Sequence, residues 1–372
     1  MKGLILTMTC GEGHNAVARS LKTAFEERNV EIEVVDIFKS HPFLHKWNNE
    51  YYFLGKKLFP HLADAIWKKA SARDPEKRDT CKNQSFTKKI YDEIKKIVVD
   101  GNYDFIVCSH NFASTIITNM KKENIALPPT FAVLTDMIPH PYWEASIGVD
   151  YIITPNDDCD MNLIKRGFKK DQIVPLGLPV AEKFNKYIDK HVAREMLNLP
   201  DKFTILLTSG GNGHYSHMPL AKALTNANID ANILVGCAKN ERMKQAMEKY
   251  KQKCKNDNLH IYGFVNNMDV MLSASDALVT VGGCNCLCEG IVKNVPLIFR
   301  EKLIVNEREN CEYILGKKLG YKLNKPSDIV EIVNNMMSNP DSTLDIKNRL
   351  KLIARPHATK NIVEFVLAKS TK

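Results

Sequence analysis

Two tetrapeptides of the form Gly-x-Gly-His, residues 11–14 and 211–214, each follow a short apolar segment that contains Leu-Thr. Apolar residues at helical spacing come next, so each tetrapeptide is predicted to join a strand to a helix. Glycine lets the backbone approach a phosphate closely, and a helix start offers N–H groups and a partial positive charge. The repeated turn favours a nucleotide-binding protein, although glycine also occurs where only a tight connection is needed.

Neither turn fits the two most familiar nucleotide motifs. The dinucleotide pattern Gly-x-Gly-x-x-Gly fails because Ala16 and Ser216 stand at its last glycine position. No Gly-Lys-Ser/Thr follows either turn, as a P-loop would require. A bound nucleotide would therefore be held without either signature.

Two polar segments after predicted strands are suited to catalysis or substrate contact. His14 is expected in the first turn of a helix at the carboxyl edge of a parallel sheet, where ligands bind. An imidazole there suits general-base catalysis near neutral pH, but a capping or packing role explains it equally well. Thr135-Asp136, with His140 and Trp143 close behind, forms a second post-strand segment suited to substrate contact.

A third turn, Gly282-Gly283, follows the apolar segment 277–281 and precedes Glu289. A carboxylate early in the next helix is placed to accept hydrogen bonds from both hydroxyls of a ribose. The alternative is helix electrostatics alone, since an acidic residue near a helix N-terminus is favourable by about 0.3–1 kcal/mol.

Two clusters of potential metal ligands are predicted to have structural roles. The chain has ten cysteines, and the group at 284, 286 and 288 lacks the Cys-x-x-Cys spacing of zinc sites. Reduced, mostly buried thiols are expected. The acidic run 157–160 follows Pro155-Asn156 and precedes apolar residues at helical spacing, so it is predicted to begin a helix.

The elements that must hold these residues alternate between strand and helix. This order implies parallel βαβ units and a doubly wound sheet. The pattern restarts after residues 176–179, which predicts two similar Rossmann-like domains. The predicted strands are residues 3–9, 31–37, 105–108, 130–134, 151–154, 203–208, 232–235, 259–262, 277–281 and 296–299.

Composition excludes several classes of protein. The 372 residues are 44% hydrophobic and 26% charged, ordinary globular proportions that exclude a disordered tail, a collagen-like fibre and a disulfide-stapled miniprotein. No apolar run approaches the ~20 residues that span a bilayer. The N-terminal apolar stretch is too short for a signal peptide. We expect a cytoplasmic protein that contacts a membrane, if at all, from its surface.

Positive charge is concentrated in residues 39–96, which hold 14 Lys or Arg against 7 Asp or Glu. The same segment is rich in aromatic residues, and residues 41–73 have a helical pattern interrupted by proline. Aromatic side chains mixed with paired lysines suit an anionic membrane surface, where each cation contributes about 1 kcal/mol. The phosphates of a nucleic acid, or a helical subdomain with a solvated basic face, are the alternatives.

Taken in order, these segments resemble the glycolipid-forming branch of glycosyltransferase family 28. This branch comprises the monogalactosyldiacylglycerol synthases and the processive diacylglycerol glucosyltransferases, and the resemblance covers nearly the whole chain. Its motifs here are Gly11, Gly13 and His14; Thr135-Asp136 with His140 and Trp143; Gly177-Leu178-Pro179-Val180; Gly210-Gly211-Asn212-Gly213; Gly282-Gly283 with Glu289; Asn306, Glu307, Glu309 and Asn310; and Arg355-Pro356.

The family implies an α/β fold of GT-B architecture, with two Rossmann-like domains facing across a cleft. It implies an acceptor-binding domain at 1–178, a UDP-sugar-binding domain at 179–354, and a C-terminal helix at 355–372 that crosses back to the first domain. It implies inverting transfer of a hexose from a UDP-sugar to a diacylglycerol-type lipid. The place of reaction would be an anionic membrane surface, on the inner face of the cell membrane. No nucleic acid, no obligatory metal and no cofactor are expected.

The resemblance also implies roles for single residues. His14 is expected to be the base, with Asp136 as the alternative base or as the residue that orients His14. The expected donor-binding residues are Gly211, Asn212, Gly213, Gly282, Gly283, Glu289, Asn306, Glu309 and Asn310. The expected acceptor-binding residues are Gly13, Tyr51, Trp67, His140 and Trp143.

Three alternatives share parts of this pattern. One is transfer of N-acetylglucosamine to a polyprenyl-linked precursor, and another is 2-epimerisation of a UDP-sugar, which would need no lipid. The third is a nucleotide- or nucleic-acid-binding module without catalysis. The aromatic segment before Asp104 favours the diacylglycerol branch over the first of these.

Overall fold

The computed structural model describes residues 1–9, 12–41, 69, 85–208, 210, 213, 216–300, 303 and 305–371 (backbone only at 85, 86, 305 and 306). The chain divides into two compact units. Unit 1 comprises Met1–Ala181, Ile304–Asn306 and Arg355–Lys372, and unit 2 comprises Glu182–Leu303 and Glu307–Ala354.

Unit 1 is built on a six-stranded, all-parallel sheet with the strand order β2-β1-β3-β4-β5-β6. Every residue of β3 and β4 is buried, which follows from helices covering both faces of a parallel sheet. The strands are β1 (Lys2–Thr7), β2 (Glu31–Asp36), β3 (Phe105–Cys108), β4 (Thr130–Val133), β5 (Tyr151–Ile153) and β6 (Ile173–Val174).

Four helices of unit 1 follow its strands, and each turns an apolar stripe toward the sheet. In the first, Val17, Leu21 and Phe25 recur every four residues and are fully buried. The helices are α1 (Gly13–Glu26), α2 (Ser85–Asp100), α3 (Asn111–Lys122) and α4 (Cys159–Ile164), with a 3₁₀ helix at Pro141–Ser146.

Unit 2 repeats the architecture with a second six-stranded parallel sheet, in the order β12-β11-β10-β7-β8-β9. Its strands are β7 (Thr204–Leu207), β8 (Asn232–Gly236), β9 (Leu259–Tyr262), β10 (Ala277–Thr280), β11 (Leu297–Phe299) and β12 (Gly320–Lys322). The following helices connect and flank them: α5 (Lys190–Met196), α6 (Met218–Asn226), α7 (Glu241–Cys254), α8 (Met268–Ala274), α9 (Cys284–Val292), α10 (Val305–Gly316), α11 (Asp328–Ser338) and α12 (Pro340–Ile353).

The last helix, α13 (Ala358–Ser370), lies in unit 1. The Thr359 hydroxyl donates to the Val180 carbonyl at 2.6 Å. Gly177 has φ +99°, and a Cβ there would stand 2.6 Å from the Cβ of Arg355. The glycine of the Leu-Gly-Leu-Pro segment is therefore required both by its backbone conformation and by the close approach of the returning chain.

All ten strands predicted from the sequence are present, and the predicted α/β class is confirmed. Two strands escaped prediction, β6 and β12, which are two and three residues long and lie at sheet edges. Edge strands this short carry too little apolar sequence to give a signal. The helical pattern predicted at 41–73 falls outside the described residues except for Lys69.

Candidate active site

Each sheet reverses its strand order once, and the motif residues lie at these reversals. In unit 1 the reversal is between β1 and β3, and in unit 2 it is between β7 and β10. Ligands of open α/β sheets bind outside the carboxyl ends of the strands at such switch points. His14 follows β1, Gly213 follows β7, and Gly282-Gly283 follow β10. Each unit therefore brings a predicted motif to the place where its topology favours a ligand.

His14 is held by contacts from two neighbouring strands. Its Nδ1 lies 2.8 Å from the carbonyl oxygen of Ser109, which directly follows β3. The Thr135 hydroxyl, after β4, lies 3.2 Å from the same nitrogen. Because a carbonyl oxygen only accepts, Nδ1 must carry the proton and donate it to Ser109. Nε2 of the neutral ring then holds the lone pair that a general base needs.

Burial lowers the pKa of His14, and the hydrogen bond to the Ser109 carbonyl opposes that shift only in part. The ring is nevertheless partly exposed, so solvent or a ligand can reach it. A lowered pKa keeps the imidazole neutral at physiological pH. Protonation state, tautomer and access are thus compatible with the predicted role as a base.

Asp136 pairs with His140 rather than with His14. Its Oδ2 lies 3.6 Å from His140 Nε2. The Nδ1 of His140 accepts from the backbone N–H of Tyr142 at 3.2 Å and caps the 3₁₀ helix, so the proton of the neutral ring is on Nε2. Among the described residues, the hydrogen bonds of His14 go to Ser109 and Thr135. The structure thus places Asp136 beside His140, and its predicted role as the alternative base or as the residue that orients His14 stays a prediction.

Two predicted acceptor-binding residues of unit 1 differ in access. The Trp143 side chain is 1% exposed and packs in the core of unit 1, with its ring 5.8 Å from that of His140. It supports His140 instead of presenting a surface of its own. Gly13 is the first residue of α1 and is partly exposed.

The glycines of unit 2 are required at their turns. Gly213 has φ +62°, and a Cβ there would stand 2.6 Å from the Cys237 carbonyl oxygen. Gly282 has φ +89°, and a Cβ there would stand 2.5 Å from the Cys311 sulfur. In contrast, a Cβ on Gly283, the N-cap of α9, would have no atom within 4 Å. The helix start is thus open just where the chain leaves the constrained turn.

Two asparagine amides fasten these turns. Asn240 Nδ2 donates to the Gly213 carbonyl at 2.8 Å, while its Oδ1 accepts from the N–H of Met243 and caps α7. Asn310 Nδ2 donates to the Gly282 carbonyl at 3.1 Å, and its side chain is 3% exposed. Asn310 was expected at the donor, and the structure places its amide in support of the turn. Asn240 was not predicted, because its partner lies 27 residues away along the chain.

Glu289 lies on α9, on the helix that Gly283 begins. Burial raises the pKa of its carboxyl to about 7, with Lys183 lowering it and Asp269 raising it further. The carboxylate makes no hydrogen bond or ion pair to any residue that the structure describes, although it is partly exposed. A desolvated carboxylate without a partner is a strong acceptor held ready for a donor pair such as ribose hydroxyls.

The cysteine cluster is part of the scaffold of these turns. Cys286 Sγ lies 3.4 Å from the Thr208 hydroxyl after β7 and 3.5 Å from the Thr280 hydroxyl at the end of β10. Burial raises the pKa of its thiol to about 11, so the sulfur stays protonated. The thiol therefore bridges the two strand ends that carry the glycine turns.

The acidic run begins a helix, as predicted, with Asp158 at the N-cap of α4. Asp157 pairs with Arg355 at 2.6 Å, and Asp160 pairs with Lys170. Within the described ranges, no three His, Cys, Asp or Glu side chains are grouped to hold a metal ion.

The remaining predicted residues are only partly covered. Glu309 lies on α10 and is partly exposed, and the backbone of Asn306 begins the same helix. The predicted donor residues Gly211 and Asn212 and the predicted acceptor residues Tyr51 and Trp67 lie outside the described residues.

Residues 14–180 match the family model described as monogalactosyldiacylglycerol (MGDG) synthase. The chain is also similar to a processive diacylglycerol beta-glucosyltransferase of Bacillus cereus (strain B4264), with 25% identity over 379 residues. That alignment covers 99% of this chain and 94% of the relative. The sequence likeness thus extends over both units.

Solved structures resemble the chain over nearly its whole length. MurG of Acinetobacter baumannii has a TM-score of 0.62 at 12% identity, covering 99% of each chain. UDP-GlcNAc 2-epimerase of Neisseria meningitidis, bound to UDP-GlcNAc, has a TM-score of 0.61 at 15% identity, covering 99% of this chain and 100% of that chain. Since one of the two is an epimerase, the fold alone does not separate sugar transfer from epimerisation.

The family match and the whole-length relative are more specific than the fold, since both are named as enzymes that form glycolipids. The predicted two-sheet fold of the GT-B glycosyltransferases is confirmed. The resemblance read from the motifs is confirmed as well: residues 14–180 match the monogalactosyldiacylglycerol synthase model, and the whole chain is similar to a processive diacylglycerol beta-glucosyltransferase.

Proposed function

We propose that this protein is an inverting glycosyltransferase that moves a hexose from a UDP-sugar to a diacylglycerol-type lipid at a membrane surface. The observation that carries the proposal is the switch point of unit 2, where the Gly282-Gly283 turn, the start of α9 and the unpartnered carboxylate of Glu289 lie on one continuous segment. The family match and the relative's name supply the lipid acceptor.

The donor would bind to unit 2. The Glu289 carboxylate would accept hydrogen bonds from both ribose hydroxyls. These hydrogen bonds would compensate for the hydration that the carboxylate loses on burial. The diphosphate would lie near Gly213, which follows β7 at the switch point, where a glycine turn lets a phosphate approach the backbone closely. Glu309, Asn306 and Asn310 would line the sugar end of the site, Asn310 through the turn that it fastens.

The acceptor would be activated on unit 1. The lipid hydroxyl would give its proton to Nε2 of His14, the nitrogen left free by the hydrogen bond from Nδ1 to Ser109. Proton transfer to a positioned base contributes typically 10²–10⁴-fold to a rate. His140 and Gly13 would contact the acceptor, and Asp136 would hold His140.

The chemical step is a single displacement. The acceptor oxygen forms a bond to the anomeric carbon as the bond from that carbon to the β-phosphate oxygen breaks. UDP leaves with the bonding electron pair, and the acceptor proton remains on His14. Charge thus develops on the diphosphate, where preorganised N–H groups act most strongly. Because the protein supplies this stabilisation, we propose that no metal is obligatory and that activity persists in a chelator.

The acceptor and the place of reaction are inferred from the relative's name and from the charge of residues 39–96. The relative's name gives diacylglycerol as what that protein glucosylates. The basic, aromatic segment at 39–96 suits an anionic membrane surface, and most of it lies outside the described residues. Among the helices described, none is both long enough and apolar enough to cross a bilayer. We propose peripheral binding to the inner face of the cell membrane, without nucleic acid as a partner.

Product analysis tests the proposal. The protein would be incubated with each radiolabelled UDP-hexose, with and without liposomes that contain diacylglycerol, and the lipids separated and identified by mass spectrometry. We expect label in a glycosyl-diacylglycerol only when liposomes are present. Transfer to a polyprenyl-linked precursor instead, or conversion of UDP-N-acetylglucosamine without any lipid, would overturn the proposal in favour of one of its two enzymatic rivals.

A further inference from the structure

Three histidines lie at the carboxyl edge of the sheet in unit 1. His14 follows β1, His110 comes directly after Ser109 at the end of β3, and His140 follows β4. The rings of His14 and His110 meet edge to face, with centroids 4.4 Å apart at 70°. The proposed function uses His14 and His140 and leaves the ring of His110 without a role.

The tautomer of His110 is fixed by the helix that it begins. Its Nδ1 accepts from the backbone N–H of Phe112 at 3.0 Å, which caps α3. Nδ1 therefore carries no proton, and the neutral ring holds its proton on Nε2. A positive ring would lose this cap and would stand at the positive end of the α3 dipole. Burial, together with repulsion from His14 and His140, holds the pKa of His110 well below its usual range.

The dipeptide Ser109-His110 makes two of the contacts that hold His14, beside that of the Thr135 hydroxyl. The Ser109 carbonyl accepts a hydrogen bond from Nδ1 of His14, and the next residue, His110, supplies the ring against which His14 packs. Ser109 is itself fixed, because it is fully buried and its N–H donates to the Leu6 carbonyl of β1 at 2.9 Å. A change in the His110 ring would therefore be felt by His14 directly.

We propose that His110 is a positioning residue for His14: its neutral ring, locked by the cap of α3, keeps the imidazole of His14 neutral and in the tautomer that leaves Nε2 free. The structural part of this proposal concerns two rings of unit 1. Its catalytic consequence rests on the proposed function, in which His14 is the base.

The elements that carry the two rings also carry two carboxylates. Glu12, at the N-cap position of α1, pairs with Arg19 at 3.4 Å, and Asp136 lies 3.6 Å from His140. Both carboxylates thus have partners of their own. The His110 ring packs edge to face on His14, so removing it should reduce the burial that lowers the pKa of His14.

The test replaces His110 with Asn, which caps helices well and so preserves the start of α3. The full chain, labelled with 15N-histidine, is titrated by NMR, and the His14 signals are identified by their loss in His14→Asn. We expect the wild type to show His14 protonated at Nδ1 and His110 protonated at Nε2. In His110→Asn we expect the pKa of His14 to rise toward its ordinary value and its tautomers to mix.

Kinetics give the second readout. With the ordinary pKa near 6.5, only about a quarter of His14 is neutral at pH 6, so kcat of His110→Asn should fall roughly three- to four-fold there. At pH 8 it should match the wild type closely, and KM for the UDP-sugar should not change. His191→Asn, which removes an exposed histidine of unit 2 paired with Asp201, is the control and should leave both readouts as in the wild type.

An unchanged tautomer and titration of His14 in His110→Asn would overturn the proposal, even if activity fell. Failure of the proposed function has a different signature, since full turnover by His14→Asn would remove its role as the base and leave the NMR result intact. The two failures are therefore distinguishable.

Discussion

The two switch points share a fold and differ in chemistry. In unit 1 the strand ends carry three histidine rings, each with a defined partner or tautomer. In unit 2 they carry glycine turns, amide clamps and one carboxylate with a raised pKa. The first set is suited to moving a proton, and the second to holding an anion and a pair of hydroxyls. A duplicated architecture can thus divide a two-substrate reaction between its halves.

The largest expected effect comes from removing His14, the proposed base of unit 1. Without the His14 imidazole, kcat should fall by about 10²–10⁴-fold, the usual contribution of a general base. Binding of UDP, measured by calorimetry, should stay unchanged because the donor groups belong to unit 2. A His14→Ala variant with full turnover would break the division of labour between the units.

The next effect is on folding and separates two adjacent glycines. Gly282→Ala forces an L-residue into φ +89° and a Cβ against the Cys311 sulfur, so it should lower the free energy of unfolding by about 1–3 kcal/mol from the backbone alone. Gly283→Ala meets nothing within 4 Å and should leave the midpoint of denaturant unfolding unchanged.

The substitution at Gly283 also tests where the nucleotide binds. If the diphosphate or ribose approaches the start of α9, the Cβ of Gly283→Ala should weaken UDP binding without loss of stability. A Gly283→Ala variant that binds UDP as the wild type does would place the ligand elsewhere on unit 2.

Replacing the Glu289 carboxylate should weaken UDP binding about ten-fold, by an amount that depends on pH. Since its pKa is about 7 in the free protein, its carboxylate is increasingly ionised, and a better hydrogen-bond acceptor, as pH rises from 6 to 8. UDP affinity should therefore rise over this range. The terminal phosphate of UDP has a pKa of about 6, the usual value for phosphate monoesters, so its ionisation also raises UDP affinity as pH rises.

The isosteric variant Glu289→Gln isolates the contribution of the carboxylate. Calorimetric titrations at pH 6, 7 and 8 should show weaker binding of UDP at pH 8 and a shallower rise with pH than in the wild type. Parallel pH curves for the two proteins would mean that the carboxylate of Glu289 does not take part in donor binding.

The smallest expected effect is that of Asn240. Asn240→Asp keeps the oxygen that caps α7 and loses the amide that holds the Gly213 carbonyl. We expect KM for the UDP-sugar to rise by roughly three- to ten-fold, about the loss of one hydrogen bond, with kcat nearly unchanged. Loss of kcat with KM unchanged would show that the clamp acts on something other than donor binding.

The sequence was most informative where local pattern alone decides structure. Buried strands such as 105–108 and 277–281 are short apolar runs between turn signals, and they were predicted within a residue or so of their ends. The cysteine at 286 was expected to pack and not to bind metal, and its bridge between Thr208 and Thr280 explains how it packs.

The sequence could not predict contacts between residues that lie far apart along the chain. The position of His14 was foreseen, but its tautomer depends on the Ser109 carbonyl 95 residues away. Asp136 was expected to be the alternative base or to orient His14, and the structure places its carboxylate 3.6 Å from His140, four residues along the same loop. The clamp from Asn240 to Gly213 likewise depends on β8 lying beside β7 in the sheet.

The most direct test is a crystal structure of the protein with UDP. The account predicts ribose hydroxyls within hydrogen-bond distance of the Glu289 carboxylate and the diphosphate against the glycine turn at 210–213. A nucleotide bound to unit 1, or to unit 2 away from these residues, would contradict it.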